Sequence, residues 1–211
     1  MSERHKQDKY YKKAKRQHYR ARSAYKLLDI QKKFSIFKRA FYIIDIGSHP
    51  GSWLQVAHDY AERNLEKYRQ DKYYSLDHFK ILGVDIKHVS PIEGVETIKM
   101  DATASEFREK VQDYFSGNKV DLIISDASIK KIGNQFSDHV RQINLCSTIL
   151  DLASEFLKQQ GSFVVKAFRG QDFSKFRKKV ESIFRNVNVF KPQASKKHSN
   201  EIYIVAKWKR E

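Results

Sequence analysis

Cysteine is nearly absent: Cys146 is the one thiol in 211 residues, which excludes an internal disulfide framework and a cysteine-rich zinc site. Prolines number 3 and glycines 8. With 40% hydrophobic and 13% aromatic residues, that scarcity excludes wholesale disorder. No apolar run approaches the ~18 residues that span a bilayer. The opening MSERHKQDKY lacks an apolar stretch, so no secretory signal is expected there, and Glu3 and Asp8 count against a mitochondrial presequence. The chain reads as intracellular and free of membrane, with cytoplasm, nucleus, nucleolus and mitochondrion all open. Its 8 histidines show no metal-ligand spacing, so no metal is expected.

Acidic residues are scarce at both ends. Residues 1–22 hold 9 basic and 2 acidic side chains, and residues 175–211 hold 11 and 3. The stretch between them holds 21 and 20, so nearly all of the +16 net charge is terminal. Two basic clusters on a neutral body, with Tyr10, Tyr11 and Tyr19 interleaved, suit a polyanion, because each neutralised phosphate releases counterions. Nucleic acid is the expected partner. The length fits one domain with a short appendage: a basic tail over 1–22 and a single domain over 23–211.

Hydrophobic periodicity predicts a short helix in ARSAYKLLDIQKKF and a buried strand at 41–46, FYIIDI. A helix follows SHPGS, with 62–79 as its extension plus a loop. Further strands are expected at 80–86, 95–100, 120–126, 161–168, 186–191 and 201–208. Helices are expected at 103–116, from an N-cap near Ser137, and at 172–184. Alternation of this kind implies an α/β fold with a mainly parallel sheet covered on both faces. The last two strands lack a crossover helix and must pair antiparallel.

The first strand-turn-helix reads Asp45-Ile46-Gly47-Ser48-His49-Pro50-Gly51-Ser52-Trp53. Gly47 and Gly51 let backbone approach a ligand, and the following helix start offers free N–H groups. The spacing is neither a dinucleotide G-x-G-x-x-G nor a Walker loop. A purely structural turn fits it equally well until Asp85 and Asp101 are added. Both close neighbouring strands on the edge where open α/β sheets bind ligands, and Asp85 could accept ribose hydroxyls. Together they point to a nucleoside-containing cofactor. Asp126 ends the fourth predicted strand. Lys166 interrupts the apolar run FVVKAF, a costly place for a cation unless it is paired or used. Glu201 opens the last strand after SKKHSN, and Lys26 lies in the early helix.

These residues resemble the FtsJ-like (RrmJ-like) RNA ribose 2′-O-methyltransferases over roughly residues 20–208. The likeness runs through RARSAYKLLDI, DIGSHPGSW, DLIISD, GSFVVKAF and KPQASKKHSNEIYIVA. It implies a Rossmann-like methyltransferase fold with seven mostly parallel strands and an antiparallel last strand. It also implies S-adenosyl-L-methionine as cofactor and a catalytic tetrad of Lys26, Asp126, Lys166 and Glu201. The cofactor positions it implies are Gly47, Pro50, Gly51, Ser52, Trp53, Asp85, Asp101 and Asp126. The family pattern follows the fourth-strand aspartate with Ala-Pro; here Asp126 is followed by Ala127-Ser128. The stretch DHVRQINLCSTIL looks most like members acting on a uridine of large-subunit ribosomal RNA, in a protein expected to be a monomer. ARSAYKLL and KAFRG also look like relatives that modify transfer RNA, so that substrate stays open. A non-catalytic RNA-binding or ribosome-assembly module is the reading from another class, motivated by the altered loop after Asp126. A nicotinamide-dependent dehydrogenase is disfavoured by the missing dinucleotide motif. If the tetrad assembles, Lys166 is the candidate base for the 2′-hydroxyl proton, and the basic termini hold phosphates.

Overall fold

A computed structural model describes residues 3–73, 76–130, 132–196 and 198–211, with side chains from Lys9 onward. Residues 1 and 2 of the basic tail, 74 and 75 of the tyrosine-rich stretch, and Lys197 of the SKKHSN loop therefore lie outside it. The elements in chain order are α1 (Glu3–Arg16), α2 (Ala24–Phe34), β1 (Tyr42–Ile46), α3 (Ser52–Tyr68), β2 (Lys80–Asp85), β3 (Glu96–Lys99) and α4 (Ser105–Tyr114). They continue with β4 (Val120–Ser125), α5 (Gln135–Phe156), β5 (Leu157–Phe168), α6 (Phe173–Ile183), β6 (Phe184–Phe190) and β7 (Glu201–Lys209).

The strands form one sheet in the order β3-β2-β1-β4-β5-β7-β6. Pairings from β3 across to β5 are parallel, while β7 runs antiparallel to both β5 and β6. The chain lays down β1, moves outward through β2 and β3, then returns to the other side of β1 for β4. The reversal between β1 and β4 opens a crevice at their carboxyl ends, the usual ligand site of such sheets. Because β7 is inverted, its first residue, Glu201, reaches that same edge.

Both faces of the sheet are buried, so the strands read as continuous apolar runs rather than alternating ones. Ile44, Ile46, Leu82, Val84, Ile123, Val165, Ala167, Ile202 and Ile204 pack on one side with residues of α4, α5 and α6. Ile43, Ile81, Leu122, Ile124, Val164, Tyr203 and Val205 pack on the other with α2 and α3. Successive strand residues alternate between the faces. That parity sends Asp45, Asp85, Asp126, Lys166 and Glu201 all toward the α2/α3 side.

Most element ends fall within two residues of expectation, and two boundaries move for a physical reason visible in the structure. Helix α5 is capped not by Ser137 but by Asn134, whose side chain accepts from Ser137 N. Serine and asparagine cap equally well, and only the backbone turn distinguishes them. Strand β5 begins at Leu157 rather than 161, because Val120 pairs with Leu157 before the register shifts to Leu122 with Ser162.

Candidate functional site

The turn after β1 is shaped by a close backbone approach. Gly47 has φ +78°, and a Cβ there would lie 2.6 Å from both Cα and Cβ of Ala127. Only glycine fits, and it brings the turn against the residue that follows Asp126. Gly51, with φ +107°, caps α3. At the helix start Ser52 Oγ meets Ser23 Oγ at 2.8 Å, and Trp53 Nε1 donates to Ser23 O at 2.9 Å. Those contacts dock α3 onto the segment leading into α2, which carries Lys26.

Asp85 ties the next loop: its carboxylate accepts from His49 N at 2.9 Å and Lys87 N at 2.8 Å. Asp101 Oδ1 accepts from Thr103 N and Thr103 Oγ1, both at 2.8 Å. Each carboxylate oxygen carries two lone pairs, so both aspartates keep acceptor capacity for a ligand. Pro50 O is held by Arg20 Nη1 at 3.3 Å.

The four tetrad positions, scattered from 26 to 201, form one connected cluster. Asp126 Oδ1 lies 3.2 Å from Lys166 Nζ and 4.0 Å from Lys26 Nζ. Lys166 Nζ also donates to Asp126 O at 2.5 Å. Lys26 Nζ reaches Glu201 Oε1 at 2.6 Å. Two cations and two carboxylates balance, which is what permits four charges to share a largely desolvated site. Register explains part of the convergence: Lys166 is directly opposite Tyr203, and Phe168 opposite Glu201, across β5/β7. Gln142, fully buried on α5, adds a further tie. It accepts from Ile129 N at 3.1 Å and donates to Ala127 O at 3.2 Å and Lys166 O at 3.1 Å, joining the loop after Asp126 to the lysine strand.

Two site residues escaped the sequence reading. Tyr203, fully buried, donates its hydroxyl to Asp126 Oδ1 at 2.5 Å and lies 3.5 Å from Glu201 Oε1. Burial, followed by the neighbouring Asp126 and Glu201 charges, pushes its phenol well above the ordinary value and keeps the proton on it. Asp45 is likewise fully buried, and neither carboxylate oxygen has a hydrogen-bond partner among the described residues. Burial first, then the Asp126 and Asp85 charges, raise its pKa well above the carboxylate range. Ser48 Oγ nearby is also buried without a partner. An acidic residue inside FYIIDI was a visible signal of the same kind as the lysine in FVVKAF. A strand tyrosine carries no such signal.

Comparison with known proteins identifies the family of the chain. The FtsJ-like methyltransferase family model matches residues 19–209. A protein of Methanocella arvoryzae named ribosomal RNA large subunit methyltransferase E is 39% identical over 202 residues, covering 96% of this chain and 72% of the relative. A protein of the same name from Anaplasma marginale is 39% identical over 194 residues, covering 91% and 89%. The crystal structure of a ribosomal RNA methyltransferase, putative by its description, from Plasmodium falciparum superposes with a TM-score of 0.75 at 28% identity, covering 90% of this chain and 98% of that one. The glycine turn, the inverted last strand and the charge-balanced tetrad thus sit in a chain that belongs to the FtsJ-like methyltransferase family.

Proposed function

We propose that this protein is an S-adenosyl-L-methionine-dependent ribose 2′-O-methyltransferase acting on ribosomal RNA of the large subunit. The observation that carries this reading is the meeting of Lys26, Lys166 and the Tyr203 hydroxyl on a single carboxylate oxygen of Asp126, with Glu201 closing the ring. The names of the relatives supply the RNA class.

The crevice between β1 and β4 suits the cofactor by the chemistry of its donors. Asp45, buried and without a partner among the described residues, offers a carboxylate to the ammonium of an amino-acid moiety. Gly47, Pro50, Gly51, Ser52 and Trp53 form the turn and helix start against which that moiety would lie. Asp85 and Asp101 offer acceptors for hydroxyls, and exposed Ile86 offers an apolar face to a flat base. When bound, S-adenosylmethionine supplies an electrophilic methyl carbon.

Methyl transfer to a 2′-hydroxyl needs an aimed oxygen and a place for its proton. Lys166 Nζ is nearly buried and held by two Asp126 oxygens; in this reading it first gives a proton to solvent, and the neutral amine then takes the hydroxyl proton. Asp126 orients Lys166, Tyr203 orients Asp126, and the Lys26–Glu201 pair positions the ribose. Positioning and general-base assistance can together exceed ~10³-fold. The basic segment 1–22, ahead of the domain over 23–211, would hold phosphates.

The test is methyl transfer from labelled cofactor to ribosomal and transfer RNA, with 2′-O-methylation mapped. Wild-type protein should label a large-subunit ribose. Lys166→Ala should lower turnover by at least ~10²-fold while binding S-adenosylhomocysteine within about twofold of wild type. Retained turnover in Lys166→Ala would remove the base assignment. Labelling of a base atom instead of a ribose would remove the reaction class.

A further inference from the structure

We infer that Arg20 is a positioning residue for the cofactor, and that His18–Arg20 forms a strap tying together the two loops that frame the cofactor crevice. This rests on the cofactor reading above. Arg20 belongs to the basic N-terminal stretch and is exposed, so composition alone assigns it to an RNA phosphate.

Three of its five guanidinium N–H groups are committed elsewhere. Nη1 donates to Ser90 O at 2.6 Å and Pro50 O at 3.3 Å, and Nη2 donates to Pro91 O at 2.6 Å. Pro50 sits in the turn between β1 and α3, and Ser90 and Pro91 sit in the loop after Asp85. One planar fork therefore bridges both loops. A phosphate could take these donors only by stripping them from three carbonyls.

A second tie uses no charge. Arg20 N donates to Gln55 Oε1 at 2.8 Å, and Gln55 Nε2 donates to His18 O at 2.9 Å. Gln55 lies in the first turn of α3, where its own N–H bonds Gly51 O at 3.0 Å. The strap thus grips the helix start as well as the loops. Packing supports the same assignment: a Cβ on Gly51 would come within 2.7 Å of Arg20 Nη1 and 3.2 Å of Val89 Cγ1. The absence of a side chain at Gly51 makes room for the guanidinium. Lysine is no substitute, because a single ammonium cannot present a planar fork to carbonyls on two loops.

The experiment uses the full chain and three variants: Arg20→Lys, which keeps the charge, Arg20→Ala, and Gln55→Leu, which alters none. S-adenosylhomocysteine binding is measured by calorimetry. Both Arg20 variants should bind about tenfold more weakly and Gln55→Leu about threefold. The KM for S-adenosylmethionine should rise by similar factors, with kcat at saturating cofactor kept within about twofold. The salt slope of RNA binding for Arg20→Ala should match wild type, and a slope smaller by about 0.7–0.9 would assign Arg20 to a phosphate and overturn the inference. Amide hydrogen exchange at residues 51–55 and 87–90 should quicken in Arg20→Lys, and this reads the strap whether or not cofactor binds. Wild-type-like cofactor affinity in Arg20→Lys and Gln55→Leu, or unchanged exchange in those loops, would overturn the inference. Failure of the wild-type chain to bind S-adenosylhomocysteine would instead overturn the proposed function, leaving the exchange measurement to decide the strap.

Discussion

Asp45 illustrates how one residue trades folding stability against binding. Its carboxyl is raised above the ordinary range because it is buried, with Asp126 and Asp85 adding negative potential. An acid whose folded pKa exceeds its unfolded one holds its proton more tightly when folded. Its contribution to stability is present below ~3.9, the usual carboxylate value, and is lost as pH rises through the raised folded value. Asp45→Asn is therefore expected to raise Tm more at pH 8 than at pH 5, and to weaken S-adenosylhomocysteine binding at both. Thermal melts and calorimetry at the two pH values check this; a uniform Tm shift would sink the titration account. Legibility at this scale was uneven. Lys166 stood out because a cation in an apolar strand demands a partner. Asp45 carried a weaker mark, because it lies two residues before Gly47, and an acidic side chain near a strand end is ordinary. Tyr203 could not stand out, since tyrosine is at home in strands.

At the scale of elements, the connection from β4 to α5 matters most, because Asp126 opens it. Asn134 accepts from Ser137 N at 3.0 Å, and Asp138 accepts from Ile132 N and Gly133 N. Gln142 then anchors the start of the loop. Asn134→Ala removes the cap and should cost about 1 kcal/mol, read as a lower urea midpoint at unchanged slope. Hydrogen exchange should quicken in the first turn of α5 and not in β1 or β4. All the helices and strands from α2 onward could be read from periodicity, because 3.6- and 2-residue repeats are local. The cap at Asn134 and the start of β5 at Leu157 could not. Each depends on which of several equivalent residues a neighbouring strand or turn engages.

Across the whole molecule, charge and site are laid out separately. The core between residues 23 and 174 is nearly neutral, and Glu201 from the basic C-terminal end joins Lys26, Asp126 and Lys166 to balance the site. Helix α1 is attached through Tyr10 and Tyr19, whose rings pack on Tyr25, and Lys9, Lys15 and Arg16 remain exposed. Replacing these three by glutamine should weaken RNA binding and reduce the slope of log affinity against log salt by about 2–3, at ~0.7–0.9 per lost phosphate contact. Cofactor affinity should not change. An unaltered slope would show that α1 does not track the RNA backbone.

Composition and periodicity by themselves determined the α/β class, the basic ends, the strand edge carrying the aspartates and the antiparallel final pair, because each follows from short-range pattern or connection length. The family likeness named the four tetrad positions. Only tertiary structure decided that the two lysines share one Asp126 oxygen, that Glu201 reaches Lys26, that Tyr203 completes the ring, and that Arg20 serves the loops of the crevice. Those outcomes depend on strand order, register and side-chain reach between residues up to 175 positions apart, and no local window of sequence contains that information.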